Sequence, residues 1–277
     1  MNLYKNMKKK SLIISLILFC FTNFTYSQTK DTIHGLDSIP IVNTAFQAGE
    51  YLKYEVKYGL INGGEAEMII GSEQAGFNWF YHVKAIARTT GITKSVAKIN
   101  DRYESYIEMN SGLPVKAIRD IRENNYRKYN EIIFHRKQNK VTSLESGEFN
   151  VPVGTLDILS AFYFARRYIF NKNLKKGDII NLTTFFDDEI FTIKIKFDNQ
   201  EDFNSNFGKI NCLKFVPVIE AGSPFKKEED LQVWFSNDGN FIPVRIRLKM
   251  KISSIKCDLI SYENLINPFG AKSKNKK

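Results

Sequence analysis

The sequence predicts a mainly β fold: a large curved antiparallel sheet, half-barrel or barrel-like, wrapped around one long buried helix. Two observations carry this. Apolar and polar residues alternate with period 2 through most of residues 49–265, with turn signals between the runs. One stretch, 155–170, breaks the alternation and is apolar almost all round. A sheet of about a dozen strands curls or closes instead of staying flat. A helix apolar on most faces has to be enclosed.

The elements follow in chain order. The opening "MNLYKNMKKK" is basic, "SLIISLILFCF" is apolar, and short polar residues precede Gln28. That is the order of a secretory signal peptide, cleaved after Ser27. Its apolar run falls short of the roughly 20 residues of a transmembrane helix. Phe19, where a lipid-modified cysteine would follow a small residue, speaks against lipidation at Cys20. The chain is therefore expected to be exported to the periplasm of a Gram-negative envelope, with no transmembrane span after cleavage. Residues 28–47 read as a leader or linker, 48–266 as a single β-rich domain, and 267–277 as a disordered basic tail.

Within the domain, "EYLKYEVKY" alternates, "INGG" at 61–64 is a turn signal, and "EAEMIIG" returns from it. Further strands are expected at 77–90, 99–109, 114–123 and 126–137, with "NN" at 124–125 as a turn, and "KVTSLES" closes this half. The helix is expected over 155–170, with Thr155 as its N-cap and Asp157 suiting its dipole. Asp157, Arg166 and Arg167 leave too short an uncharged run for a membrane span. Strands resume as "DIINLTTFF", "EIFTIKIKF", "KINCLKFVPVI", "LQVWFS", "FIPVRIRLKMKI" after the "NDG" turn, and "IKCDLISYENL".

The formal charge of +10 comes largely from the two ends. Without Lys5, Lys8, Lys9 and Lys10 of the signal, and Lys272, Lys274, Lys276 and Lys277 of the tail, residues 28–270 carry +2. A near-balanced body lacks the concentrated field that nucleic acid requires. Cys212 and Cys257 remain after processing and fall on strand faces that need not meet, so two buried thiols are the simpler expectation, with a disulfide left open.

Catalytic constellations are missing. There is no G-x-S-x-G elbow, no C-x-x-C, no H-E-x-x-H and no glycine-rich phosphate loop. His34, His82 and His135 are isolated along the chain and read as surface or packing residues. The loop "DNQEDFNSNFG" (198–208) superficially resembles a calcium loop. Counted from Asp202, however, glycine falls seventh, and Leu213 stands twelfth where a Glu is needed. No metal or cofactor is expected. The acids of "FDDEIF" (186–191) read as a solvated turn.

With 22 Phe, 13 Tyr and 2 Trp, the interior is strongly aromatic. Most of this is core filling. The sharper reading is an apolar interior that accepts a chain. Its candidate lining is Phe162, Tyr163, Phe164 and Tyr168 on the helix, with Trp79, Phe80 and Trp234 on strands. Arg245, Arg247, Lys249 and Lys251 form a cationic row on one strand face. Either the row is the wet side of a sheet, or, with Arg166 and Arg167, it meets an anionic headgroup.

Four blocks carry a family resemblance: "AGEYLKYEVKYGLINGGEAEM" (48–68), "YESYIEMNSGLPVKAIRDIRE" (103–123), "VPVGTLDILSAFYFAR" (151–166), and "EEDLQVWFSNDGNFIPVRIRLKM" with "SIKCDLISYENL" (228–265). In order and character they resemble the bacterial domain-of-unknown-function 3108 family over roughly residues 46–265, in a Bacteroidetes-type member. One departure is Ser253, where the family pattern often has glycine. The resemblance implies an exported, mostly β protein and brings no activity or catalytic residues. A looser similarity is to the lipoprotein-carrier type of fold, in which a curved sheet holds acyl chains. The first reading is then a non-enzymatic periplasmic protein binding a lipid, glycolipid or other amphiphilic envelope component in the concavity, in outer-membrane or envelope maintenance. The second is a ligand-free envelope scaffold that binds a protein. The third is a hydrolase of envelope glycan or lipid using Asp157, Asp187 and Glu189.

Overall fold

The computed structural model describes residues 42–169, 173–219, 227–250 and 253–272. The expected signal peptide, most of the leader, His34, Lys251 and the last five residues lie outside them. The chain forms one antiparallel sheet of fourteen strands in a single path, to which a short fifteenth is added. The first half holds β1 (Tyr51–Tyr58), β2 (Ile61–Ala75), β3 (Asn78–Thr89), β4 (Asn100–Glu108), β5 (Pro114–Glu123), β6 (Tyr126–His135), β7 (Lys140–Ser143) and β8 (Gly147–Asn150). A one-turn helix, α1 (Thr93–Val96), sits between β3 and β4, and α2 (Ile158–Ile169) follows β8. The second half holds β9 (Ile179–Phe186), β10 (Glu189–Ser205), β11 (Gly208–Pro217), β12 (Leu231–Ser236), β13 (Pro243–Lys249) and β14 (Ser254–Glu263), with β15 (Ala271–Lys272) pairing β11.

The strand order is β8-β7-β6-β5-β4-β3-β2-β1-β14-β13-β12-β11-β10-β9. Each half is a meander of hairpins. The halves join where β1 pairs with β14, from Tyr51 opposite Glu263 to Tyr58 opposite Ile255. Alternation places Leu52, Tyr54 and Val56 of β1 in the core and leaves Tyr51, Lys53 and Glu55 half-buried. The two outermost strands, β8 and β9, are the ones that α2 connects. The sheet is not closed by a backbone ladder. Its ends nevertheless meet, because Phe185 of β9 packs with Ala117, Ile132, Phe134 and Val141 of β5–β7 and with Val151. Leu156 forms a parallel bridge with Thr184, donating to Thr183 O at 3.0 Å and accepting from Phe185 N at 2.8 Å.

That bridge explains why the helix starts later than its apolar run. Leu156 is held in extended pairing, so Asp157 becomes the cap. Its carboxylate accepts from Leu159 N at 2.9 Å and Ser160 N at 3.1 Å. Thr155, the expected cap, instead donates its hydroxyl to Pro152 O. Ten of the twelve residues of α2 are buried, and the strands its backbone approaches most are β9 and β4.

Several boundaries depart from expectation for identifiable reasons. "INGG" is not the first turn. Gly59, at φ +62°, makes it, and Ile61–Gly64 already belong to β2. Gly64 serves close approach: a Cβ there would lie 2.3 Å from Arg88 O of β3. The calcium-like stretch 198–205 is strand, because β10 continues to Ser205 and Asp202 pairs with Lys209 and Asn211. Residues 267–272, expected in the tail, are anchored: Asn267 N donates to Asn240 Oδ1 at 3.0 Å, and Phe269 packs on Phe207 and Tyr262. Strand β8, helix α1 and strand β15 have no counterpart in the sequence expectation. Replacing Gly64 with Ala should cost about 1–3 kcal/mol by overpacking. Gly71→Ala, whose Cβ would find 3.7 Å of room, should cost clearly less, as read by urea unfolding.

Candidate functional site

The aromatics nominated as lining do not form one surface. Tyr163 is fully buried, with Phe162 edge-on to it and stacked on Phe235 at 6.2 Å, while Phe164 stacks on Tyr168 at 6.0 Å. These four belong to the main core. Tyr163 contacts Phe46 and Phe162 contacts Phe235, which packs in turn on Phe215 and Phe241, aromatics that the sequence reading did not single out. Trp234 lies in a separate cluster with Ile210, Cys212 and Val244. Its indole donates to Glu201 at 2.5 Å. Trp79 is half exposed near the β2–β3 turn, and Phe80 is partly buried beyond the core. The two cysteines are free, buried and in different clusters, which separates them. Burial pushes the Cys212 thiol up to about 12.

The cations are equally divided. Arg166 has no exposed surface and forms a bidentate pair with Glu50, at 2.5 and 2.8 Å. It also donates to Asn240 O at 2.9 Å and Ala45 O at 3.1 Å, with the rings of Phe46 and Tyr163 within 5.3 Å of its guanidinium. Four donations leave it no reach toward a headgroup. Arg167 is buried, and its guanidinium fills the space that a Cβ on Gly112 would take. Arg245 is forked onto Asp258 over the Phe203 ring, Arg247 donates to Gln232, and Lys249 stands 3.8 Å from Glu229. Arg245 and Lys249 thus face carboxylates on neighbouring elements, and only Lys249 is largely exposed.

Of the three acids proposed for hydrolysis, Asp157 and Asp187 edge one cleft and Glu189 does not. Asp157 caps the helix and accepts from Ser105 Oγ at 2.6 Å, Asp187 is held by cations, and Glu189 is exposed on β10. His82, read as isolated, has partners. Its ring stacks on Tyr106 at 4.1 Å and lies between Glu73 at 2.6 Å and Glu104 at 2.5 Å. The pairing comes from adjacent strands, with no local spacing to reveal it. Among the described residues no group of three or more His, Cys, Asp or Glu side chains is placed to hold a metal ion.

The polar groups that do gather lie where the ends of the sheet meet. The β9–β10 turn puts Asp187 and Asp188 at φ +54° and +63°, a tight hairpin that aims both carboxylates across the gap. Asp187 accepts from Arg119 at 2.9 Å and Lys128 at 2.5 Å, and Asp188 accepts from Ser146 Oγ at 2.6 Å. Burial pushes the Asp187 carboxyl up, but the hydrogen bond from Lys128 and the charges of Arg119 and Lys128 outweigh it, so its pKa ends below the usual value. Arg119 also lies 4.7 Å over the Phe186 ring. Behind this clasp is a cleft of about 40 Å³, floored by Tyr103, Ile132, Phe185, Phe186 and Leu159 and edged by Asn130, Asp157 and Asp187. It is apolar below and charged at its lip.

On the same inner face of β4 and β5, Asp101 has no exposed surface and Glu123 almost none. Burial pushes Asp101 up to about 7, with the Glu123 charge adding to the rise and the Arg122 amide opposing it.

Comparison with known proteins adds little beyond fold. No curated protein matches the chain. Among solved structures, a β-barrel-like protein of domain of unknown function DUF1849 from Brucella abortus is similar at TM-score 0.49 and 8% identity, over 78% of this chain and 97% of that one. A DUF1089 family protein from Pseudomonas aeruginosa is similar at TM-score 0.33 and 7% identity, over 64% and 87%. At these scores neither carries an argument about function. No helix among the described residues is long and apolar enough to cross a membrane. The family model described as a protein of unknown function, DUF3108, matches residues 53–260.

Two outcomes follow from the buried charges. Arg166→Met, which strands the Glu50 charge, should cost about 3–5 kcal/mol. The double variant Glu50→Gln/Arg166→Met should cost less than the sum of the single changes in a double-mutant cycle. For Asp101, the folded pKa lies above the unfolded value, so the unfolded chain releases its proton first. The stabilisation is complete below about pH 4 and is lost as pH rises through 7. Asp101→Asn should therefore flatten the fall in melting temperature between pH 5 and 8, and at pH 8 raise stability by on the order of 2 kcal/mol.

Proposed function

The chain belongs to the DUF3108 family, and on that premise we propose that it is an exported, non-enzymatic envelope protein that binds an amphiphile at the seam of its sheet. The observation that carries the reading is the seam itself. There a core otherwise sealed by backbone ladders is closed by one short backbone bridge at Leu156 and by side chains, Asp187 to Arg119 and Lys128, over a cleft with an aromatic floor. Such a seam offers cations to an anionic headgroup and, once parted, apolar surface continuous with Phe185 and Phe186 to its tail. The space around α2 is filled by Phe162, Tyr163, Phe235 and Phe241, so the seat of the ligand lies beside the helix's first turn and not around its middle.

The cleft of about 40 Å³ has room for ordered water, each molecule needing on the order of 10–15 Å³, and not for an acyl chain. An acyl chain therefore has to part β9 from β5–β8. The same small volume favours a second reading, an envelope scaffold with a filled core and no ligand.

Native mass spectrometry with lipid extraction, on protein purified from the envelope without detergent, separates the two. The amphiphile reading expects a stoichiometric lipid adduct, reduced at least tenfold in Arg119→Gln/Lys128→Gln. A bare mass, together with an unchanged melting temperature on adding anionic lipid, would favour the scaffold.

A further inference from the structure

We propose that one end of the sheet, at the β1–β2, β3–β4 and β5–β6 connections, docks on an anionic membrane surface. Soluble proteins expose single apolar residues routinely, but clustered ones mark interaction sites. Here Leu60 is 99% exposed and Ile61 63% on the β1–β2 turn, and Ile92 is 87% and Val96 82% exposed on the β3–β4 connection. Tyr126, after the β5–β6 turn, is half exposed as well. Helix α1 within that connection buries none of its residues, so it contributes nothing to the core.

These tips are neighbours, and they are held in place. Thr93 Oγ1 donates to Asn62 O at 3.0 Å, tying α1 to β2. Lys98 N donates to Asn124 Oδ1 at 3.0 Å, and Asn124 N returns to Lys98 O at 2.7 Å, tying β3–β4 to β5–β6. With strands spaced about 4.8 Å apart, three adjacent hairpin tips span on the order of 20 Å. The result is a rigid row of aliphatic points, not a mobile loop.

Charge selects the occupant. Residues 57–64, 89–99 and 124–127 contain no Asp or Glu, while Lys94, Lys98 and Arg127 fall within them, together with Lys57, which is paired to Glu55 at 2.6 Å. Lys94 and Lys98 are exposed and make no ion pair among the described residues. Protruding aliphatics flanked by uncompensated lysines match the boundary of a bilayer, where apolar side chains enter between headgroups and cations meet anionic lipid. The acidic β9–β10 turn lies at this same end, its Asp187 bonded to Lys128 beside Arg127. Docking would thus bring the seam to the lipid, although the docking itself does not rest on what the seam binds.

Flotation with phosphatidylcholine vesicles, with and without phosphatidylglycerol, tests this on wild type and variants that share one N-terminus. Wild type should float with the anionic vesicles and be released by salt. Leu60→Asp/Ile92→Asp should lower the bound-to-free ratio more than tenfold, and Lys94→Glu/Lys98→Glu should abolish the preference for anionic lipid. Phe77→Asp should bind as wild type, since Phe77 is fully exposed at the opposite end of β2. All five positions are exposed, and unchanged circular dichroism confirms folding. Failure of wild type to float, flotation of either rim variant as strong as that of wild type, or loss of binding in Phe77→Asp overturns the proposal. Arg119→Gln/Lys128→Gln should still float, which separates failure of the seam reading from failure of this one.

Discussion

The structure turns on a buried ion pair. Arg166 and Glu50 both have no exposed surface, and taking two charges from water costs several kcal/mol each unless their hydrogen bonds are met. They are met only if four segments arrive together: the residues around Ala45, the start of β1 at Glu50, helix α2, and the turn carrying Asn240. Asn240 in turn holds the chain after β14, accepting from Asn267 N and donating to Asn267 O. A helix that slipped by one residue would turn Arg166 through about 100° and leave both charges unmatched. The pair therefore fixes the rotation of α2, which apolar packing alone, on a helix greasy on most faces, leaves poorly specified.

Fixing α2 also fixes the ends of the sheet, since the helix connects β8 to β9. Open sheet edges invite pairing with other chains and are normally covered or charged. Here the edge of β9 is met by Leu156 as the chain enters α2, and its terminal turn is met by Arg119 and Lys128. Covering an edge with one two-bond bridge and a few side chains differs in kind from completing a ladder. Each of those contacts can be exchanged singly, whereas a ladder parts along its whole length. That difference gives the seam its place in the functional reading.

How much of this was legible follows from the range of each interaction. The strands of β1, β3–β6, β9 and β11–β14 could be read because alternation is local, and so could α2, because sixteen residues without alternation stand out. The pairing of β1 with β14 had no local signal, nor did the partner of Arg166, which lies 116 residues away. The seam was hidden for the same reason: "FDDEIF" reads as a wet turn until Arg119 and Lys128 are brought against it from 68 and 59 residues away. "INGG" misled because glycine serves two purposes, and Gly64 is used for contact with β3 instead of for turning. The cationic row of β13 was half legible. Its phase was right, but Asp258, which answers Arg245, sits on the adjacent strand.

One asymmetry joins these threads. The groups that could serve as catalysts by residue type, Asp157, Asp101 and His82, are engaged in capping, in a sealed acid pair or between two glutamates. Groups still able to change partners lie at one end of the sheet: Asp187 at the lip of the cleft, and Lys94 and Lys98 among the exposed aliphatics. Polar groups committed to structure cannot also bind without a loss of stability, since an unmatched buried charge costs more than its partner gained. A protein arranged this way keeps its interior for folding and its end for contact. That arrangement is what the proposed docking on a lipid surface requires.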